Sequence, residues 1–193
     1  MNRRETVIFL LLVAAVWIYL AIRSALVPVV HDEAATFLHY LQVNQYIPYF
    51  SLWDANNHLL NSASAHLSVN LFDNHTFWLR LPNLLSFGLF AFYLYRLAES
   101  FQNHWIKWIT VIAMLTASFQ IEFFALARGY GMSIAFLLGA VYHASAYLQK
   151  KELRHQLWLW PFMFLALLAN MSLVNSMIIF LGMVGLEMLL RPP

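Results

Sequence analysis

Apolar runs of roughly membrane-spanning length recur along this chain, and they limit what it can fold into more than any other feature. A transmembrane helix needs roughly 20 mostly apolar residues. Inside a bilayer the backbone polar groups must be hydrogen-bonded within the protein, so such runs form helices. Hydrophobic residues make up 62% of the 193 residues and charged residues 10%, whereas the apolar share of soluble domains is nearer to half. The sequence therefore predicts an all-α, polytopic membrane protein.

The runs predict about six membrane-spanning helices. Their expected ranges are 7–22, 83–97, 105–119, 131–148, 158–169 and 172–190. The first run follows two arginines and lacks a clean small-residue cleavage site, which favours an uncleaved helix over a signal peptide. The last two runs form one long apolar tract that only a few polar residues divide.

The basic residues indicate how these helices are oriented. With the N-terminus in the cytoplasm, eight of the 11 lysines and arginines fall in cytoplasmic segments, and only Arg23, Arg80 and Arg128 fall outside. Cytoplasmic segments of membrane proteins carry an excess of positive charge. We therefore expect residues 28–82, here called the polar interval, to lie on the extracytoplasmic side. The turn that contains Glu122 and Arg128 is expected on the same side.

Apolar residues within the polar interval repeat with helical spacing. Ala34, Phe37, Leu38 and Leu41 follow an i, i+3, i+4, i+7 pattern, and Asp32 is placed to cap that helix. A weaker stripe runs through positions 60, 63, 67 and 71. These patterns predict two short amphipathic helices along the membrane surface.

Asp32 and Glu33 form the only pair of adjacent acidic residues. A carboxylate at the boundary between water and lipid can act as a general base or as a metal ligand. Alternatively, the two residues cap a helix and interact with its dipole. The spacing alone leaves both interpretations open.

A second polar group follows in the same interval. Asn56, Asn57 and His58 lie beside Asp54 and offer donors and acceptors that can orient a sugar or a phosphate. His58 can also complete a metal site with one of the earlier carboxylates. A polar surface loop is the alternative.

Arg128 lies between two apolar runs, beside a glycine that allows close backbone approach. A guanidinium is well shaped to bind a phosphate through two hydrogen bonds. The alternatives are an interfacial anchor or an ion pair with Glu122. Arg80 can bind phosphate in the same way, but its place at the start of a span also fits an anchor.

Composition excludes several classes of function. The chain has no cysteine, which excludes disulfides, a thiol nucleophile and cysteine-ligated metal sites. The net charge of +2 arises from basic residues between apolar runs, where they set topology. We therefore expect no nucleic-acid partner.

Four short motifs occur in order along the chain. They are His-Asp-Glu-Ala at 31–34, Trp-Asp-Ala-Asn-Asn-His-Leu-Leu-Asn-Ser at 53–62, Leu-Arg-Leu-Pro-Asn-Leu-Leu at 79–85 and Ala-Arg-Gly-Tyr at 127–130. Together with the first span, they resemble the GT-C superfamily, integral-membrane glycosyltransferases that use polyprenyl-phosphate sugars. The nearest relatives look like the bacterial branch of the protein mannosyltransferases and aminoarabinose transferases. One departure is Leu59, where many relatives have proline.

The resemblance implies a function and a set of site residues. An extracytoplasmic acceptor hydroxyl would attack the sugar of a polyprenyl-phosphate donor, with Asp32 as the catalytic base and Glu33 supporting it or binding a divalent metal ion. Arg128 would stabilise the leaving phosphate. The implied substrate-binding residues are Asn56, Asn57, His58, Arg80, Arg128 and Tyr130. The acceptor would be a lipid, a glycan or a protein, and the location a bacterial inner membrane.

The resemblance covers nearly the whole chain, but members of the superfamily are longer, with further spans and another outer loop. We therefore expect residues 1–193 to be a single transmembrane module that forms the N-terminal portion of such an enzyme. The alternative is a non-catalytic membrane protein that binds a lipid-linked sugar or packs against a partner. A transporter fits less well, because the charged residues cluster at the membrane boundary and not within it.

Overall fold

The computed structural model describes residues 2–47, 49–52, 57–73 and 75–190. These residues form nine α-helices and no β-strand, which confirms the predicted all-α class. The helices are α1 (Arg3–Leu26), α2 (His31–Thr36), α3 (Leu59–Leu71), α4 (Thr76–Ala98), α5 (His104–Thr116), α6 (Ser118–Ala125), α7 (Tyr130–Lys150), α8 (Leu153–Ala169) and α9 (Val174–Leu190). A π-helical turn (Phe37–Leu41) continues α2, and a 3₁₀ turn (Met171–Leu173) precedes α9.

Three of these helices, α1, α4 and α7, are long and apolar enough to cross a membrane. Helices α5 and α6 meet the same criteria only as a pair, and the pair is bent by 47°. Helices α8 and α9 have 17 residues each; at about 1.5 Å per residue they are shorter than the hydrocarbon core of roughly 30 Å. The described residues thus contain three to four candidate spans, and the predicted count of about six is not confirmed.

The first helix begins before the predicted span because its start is capped. The Asn2 side chain accepts a hydrogen bond from the Glu5 backbone N–H at 2.9 Å, and the Glu5 carboxylate accepts one from the Asn2 backbone at 3.1 Å. This reciprocal capping satisfies two N–H groups that lack helical partners. The helix ends at Leu26, just before a proline that disfavours helical geometry in the preceding residue.

The predicted boundary at Pro82 is wrong, because α4 begins at Thr76 and continues through the proline. Pro82 has no N–H to donate to the Trp78 carbonyl one turn earlier. The Ser68 hydroxyl of α3 donates to that carbonyl instead, at 2.7 Å. A hydrogen bond lost within α4 is thus replaced by one between α3 and α4.

The core lies around α4, which packs against α1, α3 and α7. Phe87 and Phe90 of α4 contact Phe124 of α6 at ring-centroid distances of 5.3 and 5.1 Å, and all three rings are buried. Helices α7 and α8 form a second core with the C-terminal half of α4, centred on Tyr93 and Phe162. These two cores fix which helix ends lie together.

Long-range polar contacts define the two ends of the bundle. At one end, called here the Asp32 end, Arg23 of α1 pairs with Glu122 of α6. At the opposite end, Lys107 of α5 donates to Glu5 of α1 at 2.8 Å, and Arg96 of α4 donates to the Tyr142 hydroxyl of α7 at 2.7 Å. Successive long helices therefore run between the same two ends.

Positive charge is divided between these ends as the sequence predicts. The Asp32 end holds Arg23, Arg80 and Arg128. The other described lysines and arginines lie at the opposite end, all on helix segments except Lys151, which directly follows α7. The same three arginines are assigned to the extracytoplasmic side from the sequence. Which end of the bundle faces the cytoplasm stays a prediction.

Two short helices form in the polar interval, but α2 differs from the predicted helix. It begins at His31 with Val30 as its cap, so Asp32 lies in the first turn and the prediction of Asp32 as the cap is wrong. Leu38 is 53% exposed whereas Tyr40 is buried, although the predicted stripe included Leu38. The change from α to π geometry after Thr36 rotates the following side chains away from the α-helical pattern.

Helix α3 turns its polar face, not its leucines, toward the protein. Leu67 and Leu71 are exposed, whereas Asn61 and Ser68 are buried. Both buried side chains donate hydrogen bonds to backbone carbonyls of other segments. The outward apolar face is what a helix in contact with lipid would present.

Candidate functional site

Asp32 and Arg128 form an ion pair at the Asp32 end, where α2 meets the link between α6 and α7. Oδ2 of Asp32 contacts Nη2 of Arg128. The two side chains are 29% and 33% exposed, so the pair is open to a ligand from outside. The structure thus brings together the carboxylate and the guanidinium that the sequence singles out separately.

Two rings complete the surroundings of Arg128. Its guanidinium carbon lies 5.3 Å from the centre of the Tyr130 ring, within cation–π range. The Tyr130 ring in turn contacts His58 edge to face, with a centroid distance of 5.1 Å. Asp32, His58, Arg128 and Tyr130, here called the Asp32 site, therefore form one contiguous group.

Gly129 allows this group to assemble. Its backbone is left-handed, with φ of +73°, a conformation that favours glycine. A Cβ at this position would lie 2.5 Å from the Ala169 carbonyl oxygen and 2.8 Å from Cβ of His58. Only a residue without a side chain lets the end of α8 and His58 approach the link between Arg128 and Tyr130.

His58 is buried and neutral at physiological pH. Burial of its ring, together with the nearby Arg128 guanidinium, lowers the pKa of His58 to about 4, although Asp32 acts in the opposite direction. A neutral imidazole can donate one hydrogen bond and accept another. His58 is thus suited to orienting a hydroxyl group and not to neutralising a phosphate.

Glu33 and Arg80 form a second ion pair, which is completely buried. Arg80 donates to both Glu33 oxygens at 2.8 and 2.6 Å and to the carbonyls of Ser24, Val27 and Pro28. Glu33 also accepts from the backbone N–H groups of Val30 and Ala127, at 3.1 and 2.7 Å.

These contacts use the whole hydrogen-bonding capacity of the Glu33–Arg80 pair. All five guanidinium N–H donors have acceptors, and each carboxylate oxygen accepts two hydrogen bonds. The pair ties α1, α2, α4 and the link before α7 together directly beneath Asp32. The predicted role of Glu33 in supporting Asp32 and the predicted contact of Arg80 with substrate stay predictions, and all the hydrogen-bonding groups of both side chains have partners within the protein.

A buried pair of asparagines, which was not predicted from the sequence, supports the same link. The Asn61 amide donates to the Ala127 carbonyl at 3.1 Å, and the Asn83 amide donates to Oδ1 of Asn61 at 2.7 Å. Oδ1 of Asn83 accepts from the Met132 backbone at 3.2 Å. Both asparagines lie inside apolar helices, where a buried amide needs hydrogen-bond partners. That position in the sequence could have indicated a buried polar contact.

Asn57 lies apart from the Asp32 site in its contacts. Its amide donates to the Tyr46 carbonyl at 3.1 Å and to the Ser51 hydroxyl at 3.0 Å, so it fastens the chain before α3. Asn56 and Asp54, which the sequence places in the same polar group, lie outside the described residues.

Glu122 pairs with Arg23. The prediction from the sequence that Glu122 pairs with Arg128 is therefore wrong. Helices α1 and α6 pack against each other and place Arg23 beside Glu122. Arg128 pairs with Asp32 instead.

The carboxylates of Asp32 and Glu33 do not fit a metal ion. Glu33 has four hydrogen-bond donors around its oxygens, and Asp32 faces the cationic Arg128. Throughout the described ranges, no group of three or more histidine, aspartate or glutamate side chains could hold a metal ion.

Comparisons of the chain with protein-family models, with curated proteins and with solved structures found no match. The resemblance to the GT-C superfamily accordingly rests on the four motifs and their order. What it implies about activity is a proposal, which the geometry of the Asp32 site can support.

Proposed function

We propose that this chain carries the acceptor-activating and phosphate-binding groups of a membrane glycosyltransferase. The donor would be a polyprenyl-phosphate sugar, and the acceptor a hydroxyl of an extracytoplasmic lipid, glycan or protein. The observation that carries the proposal is the Asp32–Arg128 pair, a partly exposed carboxylate and guanidinium that two distant segments supply to one place. The ordered motifs and the apolar helices support it.

The proposed reaction needs one base and one cation. Asp32 accepts the proton of the acceptor hydroxyl while the hydroxyl oxygen forms a bond to the anomeric carbon of the sugar. The bond between that carbon and the phosphate oxygen breaks, and the lipid phosphate leaves with the electron pair. Arg128 stabilises the negative charge that develops on this phosphate.

The ion pair suggests that Arg128 acts before Asp32 in the proposed reaction. Arg128 is held by Asp32 while no donor is bound, and a donor phosphate competes for the same guanidinium. Binding of the donor would draw Arg128 toward the phosphate and free the Asp32 carboxylate for the acceptor proton. The base would then become available only when there is a sugar to transfer.

The remaining residues have supporting parts in this proposal. His58 and Tyr130 line the site next to Arg128 and are available to orient hydroxyl groups of the sugar or acceptor. Glu33 and Arg80 hold α2 in place without touching substrate. A mostly apolar cavity of about 300 Å³ between α2 and the start of α4, lined in part by Phe37, Leu38 and Leu79, offers room for the first units of the polyprenyl chain.

A second candidate function is a membrane protein that binds a lipid-linked sugar without transferring it. The observation that favours it is the same ion pair, because a carboxylate paired with a guanidinium is a less available base. The two functions differ in one outcome: both bind the donor, but only the enzyme releases the polyprenyl phosphate in the presence of an acceptor.

The test measures transfer of a labelled sugar from a polyprenyl-phosphate donor to membranes of the source cells, which supply the acceptor. Asp32→Asn should lower the transfer rate by about 100-fold or more, the size of a general-base contribution. Glu122→Gln, which removes a carboxylate from another arginine pair at the same end, is the matched control and should stay within about twofold of the wild-type rate. Transfer by Asp32→Asn at the wild-type rate would remove Asp32 as the base.

A further inference from the structure

An open pocket of about 430 Å³ lies at the end of the bundle opposite to the Asp32 site. It is formed where α4 and α7 end and where α8 begins. Nothing in the proposed transfer reaction uses it. Its lining combines basic, histidine and aromatic side chains from all three helices.

Three cations converge on this pocket, one from each helix end. Arg96, Lys150 and Arg154 belong to α4, α7 and α8, and the side chains of Arg96 and Arg154 are 42% and 69% exposed. Two carboxylates accompany them: Glu99 lies 3.6 Å from Nε of Arg96, and Glu152 lies 2.5 Å from Nε of Arg154. The cations outnumber the carboxylates, so the pocket is positively charged.

The inner wall holds two buried histidines in contact with each other. Nδ1 of His143 lies 3.0 Å from Nδ1 of His155, and Nε2 of His143 lies 3.1 Å from the Tyr93 hydroxyl. His155 is 6% exposed, yet its Nε2 atom has no hydrogen-bond partner within the described part of the chain. The nearest carboxylate, that of Glu152, is 3.6 Å away.

This nitrogen has no hydrogen bond to any described residue and can therefore donate one to a ligand. When the Tyr93 hydroxyl donates to His143, Nδ1–H of His143 donates to His155, and the remaining proton of His155 is then on Nε2. A buried N–H group without an acceptor is unfavourable. An anion in the pocket would accept from it and from the arginines at once.

The surroundings indicate a lipid as the source of the anion. Trp158, on the pocket wall, is 56% exposed, and Arg96 lies 5.3 Å from the centre of the Tyr142 ring while donating to its hydroxyl. Helices α4 and α7 are candidate spans that end here. Aromatic and basic side chains at the ends of spanning helices lie at the depth of lipid headgroups.

We propose that this cationic pocket binds the phosphate of an anionic membrane lipid. Positive charge that only sets topology needs to be near a helix end, but it need not converge on a pocket with a buried, unpartnered histidine nitrogen. The phosphate would accept from Arg96, Arg154 and His155, and its glycerol part would lie against Trp158. This inference does not depend on the glycosyltransferase proposal, because it concerns the opposite end of the protein.

The test measures binding of phosphatidylglycerol to the purified full chain in neutral detergent, with phosphatidylcholine as the uncharged reference lipid. The wild type should prefer phosphatidylglycerol at least tenfold, and Arg96→Gln/Arg154→Gln should remove that preference. His155→Phe, which keeps a ring but removes the free nitrogen, should weaken it at least threefold. Arg4→Gln, an exposed arginine at the same end, is the matched control and should bind as the wild type does.

Three results would overturn the proposal. Equal binding of the two lipids by the wild type would show that the pocket does not recognise the charge. If Arg4→Gln lost the preference for phosphatidylglycerol as fully as Arg96→Gln/Arg154→Gln, general surface charge would be sufficient for binding. Inorganic phosphate or glycerol phosphate competing at the same concentration as phosphatidylglycerol would assign the pocket to a soluble phosphate and not to a lipid. The thermal unfolding midpoint of each variant, measured in parallel, identifies loss of binding through misfolding.

Discussion

Arg80 and Arg128 lie at the same end of the bundle, yet their surroundings suit them to different tasks. Arg80 is fully buried, and every N–H group of its guanidinium has an acceptor. Arg128 is one-third exposed, and the only carboxylate it contacts among the described residues is Asp32. A phosphate can therefore approach Arg128 without dismantling the fold, whereas at Arg80 it would have to displace four residues.

His58 should make the stability of the protein depend on pH. The unfolded chain binds a proton at this histidine below about pH 6.5, whereas the folded protein binds it only below about pH 4. Between these values protonation favours the unfolded state, so stability should fall as the pH falls. The slope attributable to His58 is on the order of 1 kcal/mol per pH unit.

Replacement of His58 by glutamine should flatten this slope. The measurement is the free energy or midpoint of unfolding in detergent from pH 4 to 7, compared between the wild type and His58→Gln. His39→Gln removes an exposed histidine of the polar interval, and its curve should follow the wild type. Parallel wild-type and His58→Gln curves would contradict the burial of an uncharged His58.

At the scale of helices, removal of one partner of the buried Glu33–Arg80 pair should destabilise the protein more than removal of one partner of an exposed pair at the Asp32 end. Removal of one partner leaves a buried charge without compensation, which costs about 3–5 kcal/mol. Arg80→Met and Glu33→Gln should each lower the unfolding free energy by about this amount. The double variant should recover part of the loss, because no uncompensated charge remains.

The exposed pair provides the comparison for this experiment. Arg23 and Glu122 are 27% and 45% exposed in their side chains, and such pairs contribute about 0–1 kcal/mol. Glu122→Gln should therefore change the unfolding free energy little. An Arg80→Met variant as stable as Glu122→Gln would show that the buried pair does not hold α1, α2 and α4 together.

Hydrophobic periodicity predicts the existence of the helices in this chain better than their boundaries or faces. The apolar runs correspond to α1, α4, α5, α7, α8 and α9, because a long apolar run has few alternatives to a helix. The boundary at Pro82 is wrong because Ser68, distant in sequence, satisfies the carbonyl that proline leaves free. The exposed leucines of α3 fit the predicted amphipathic helix along the membrane surface, whereas the sequence pattern does not indicate that Asn61 and Ser68 on its other face are buried.

At the scale of the whole molecule, the bundle places two unrelated charged sites at opposite ends. The sequence identifies Asp32, His58 and Arg128 individually, since polar residues beside apolar runs are conspicuous. It does not predict which carboxylate pairs with which arginine, because that depends on how α1, α2 and α6 pack. Nor does it predict the pair of buried histidines, which meet only when α7 packs on α8.

In the proposed function, Arg128 binds a lipid phosphate, and Asp32 holds Arg128 until this phosphate arrives. Binding of polyprenyl phosphate to the purified chain, without sugar or acceptor, tests it most directly. Arg128→Ala should weaken binding at least tenfold, or about 1.4 kcal/mol. Asp32→Asn should leave the affinity unchanged or raise it, because the competing carboxylate is gone. Arg23→Ala, which removes the matched arginine of the Glu122 pair, should bind as the wild type does. Wild-type affinity in Arg128→Ala would contradict phosphate binding by Arg128.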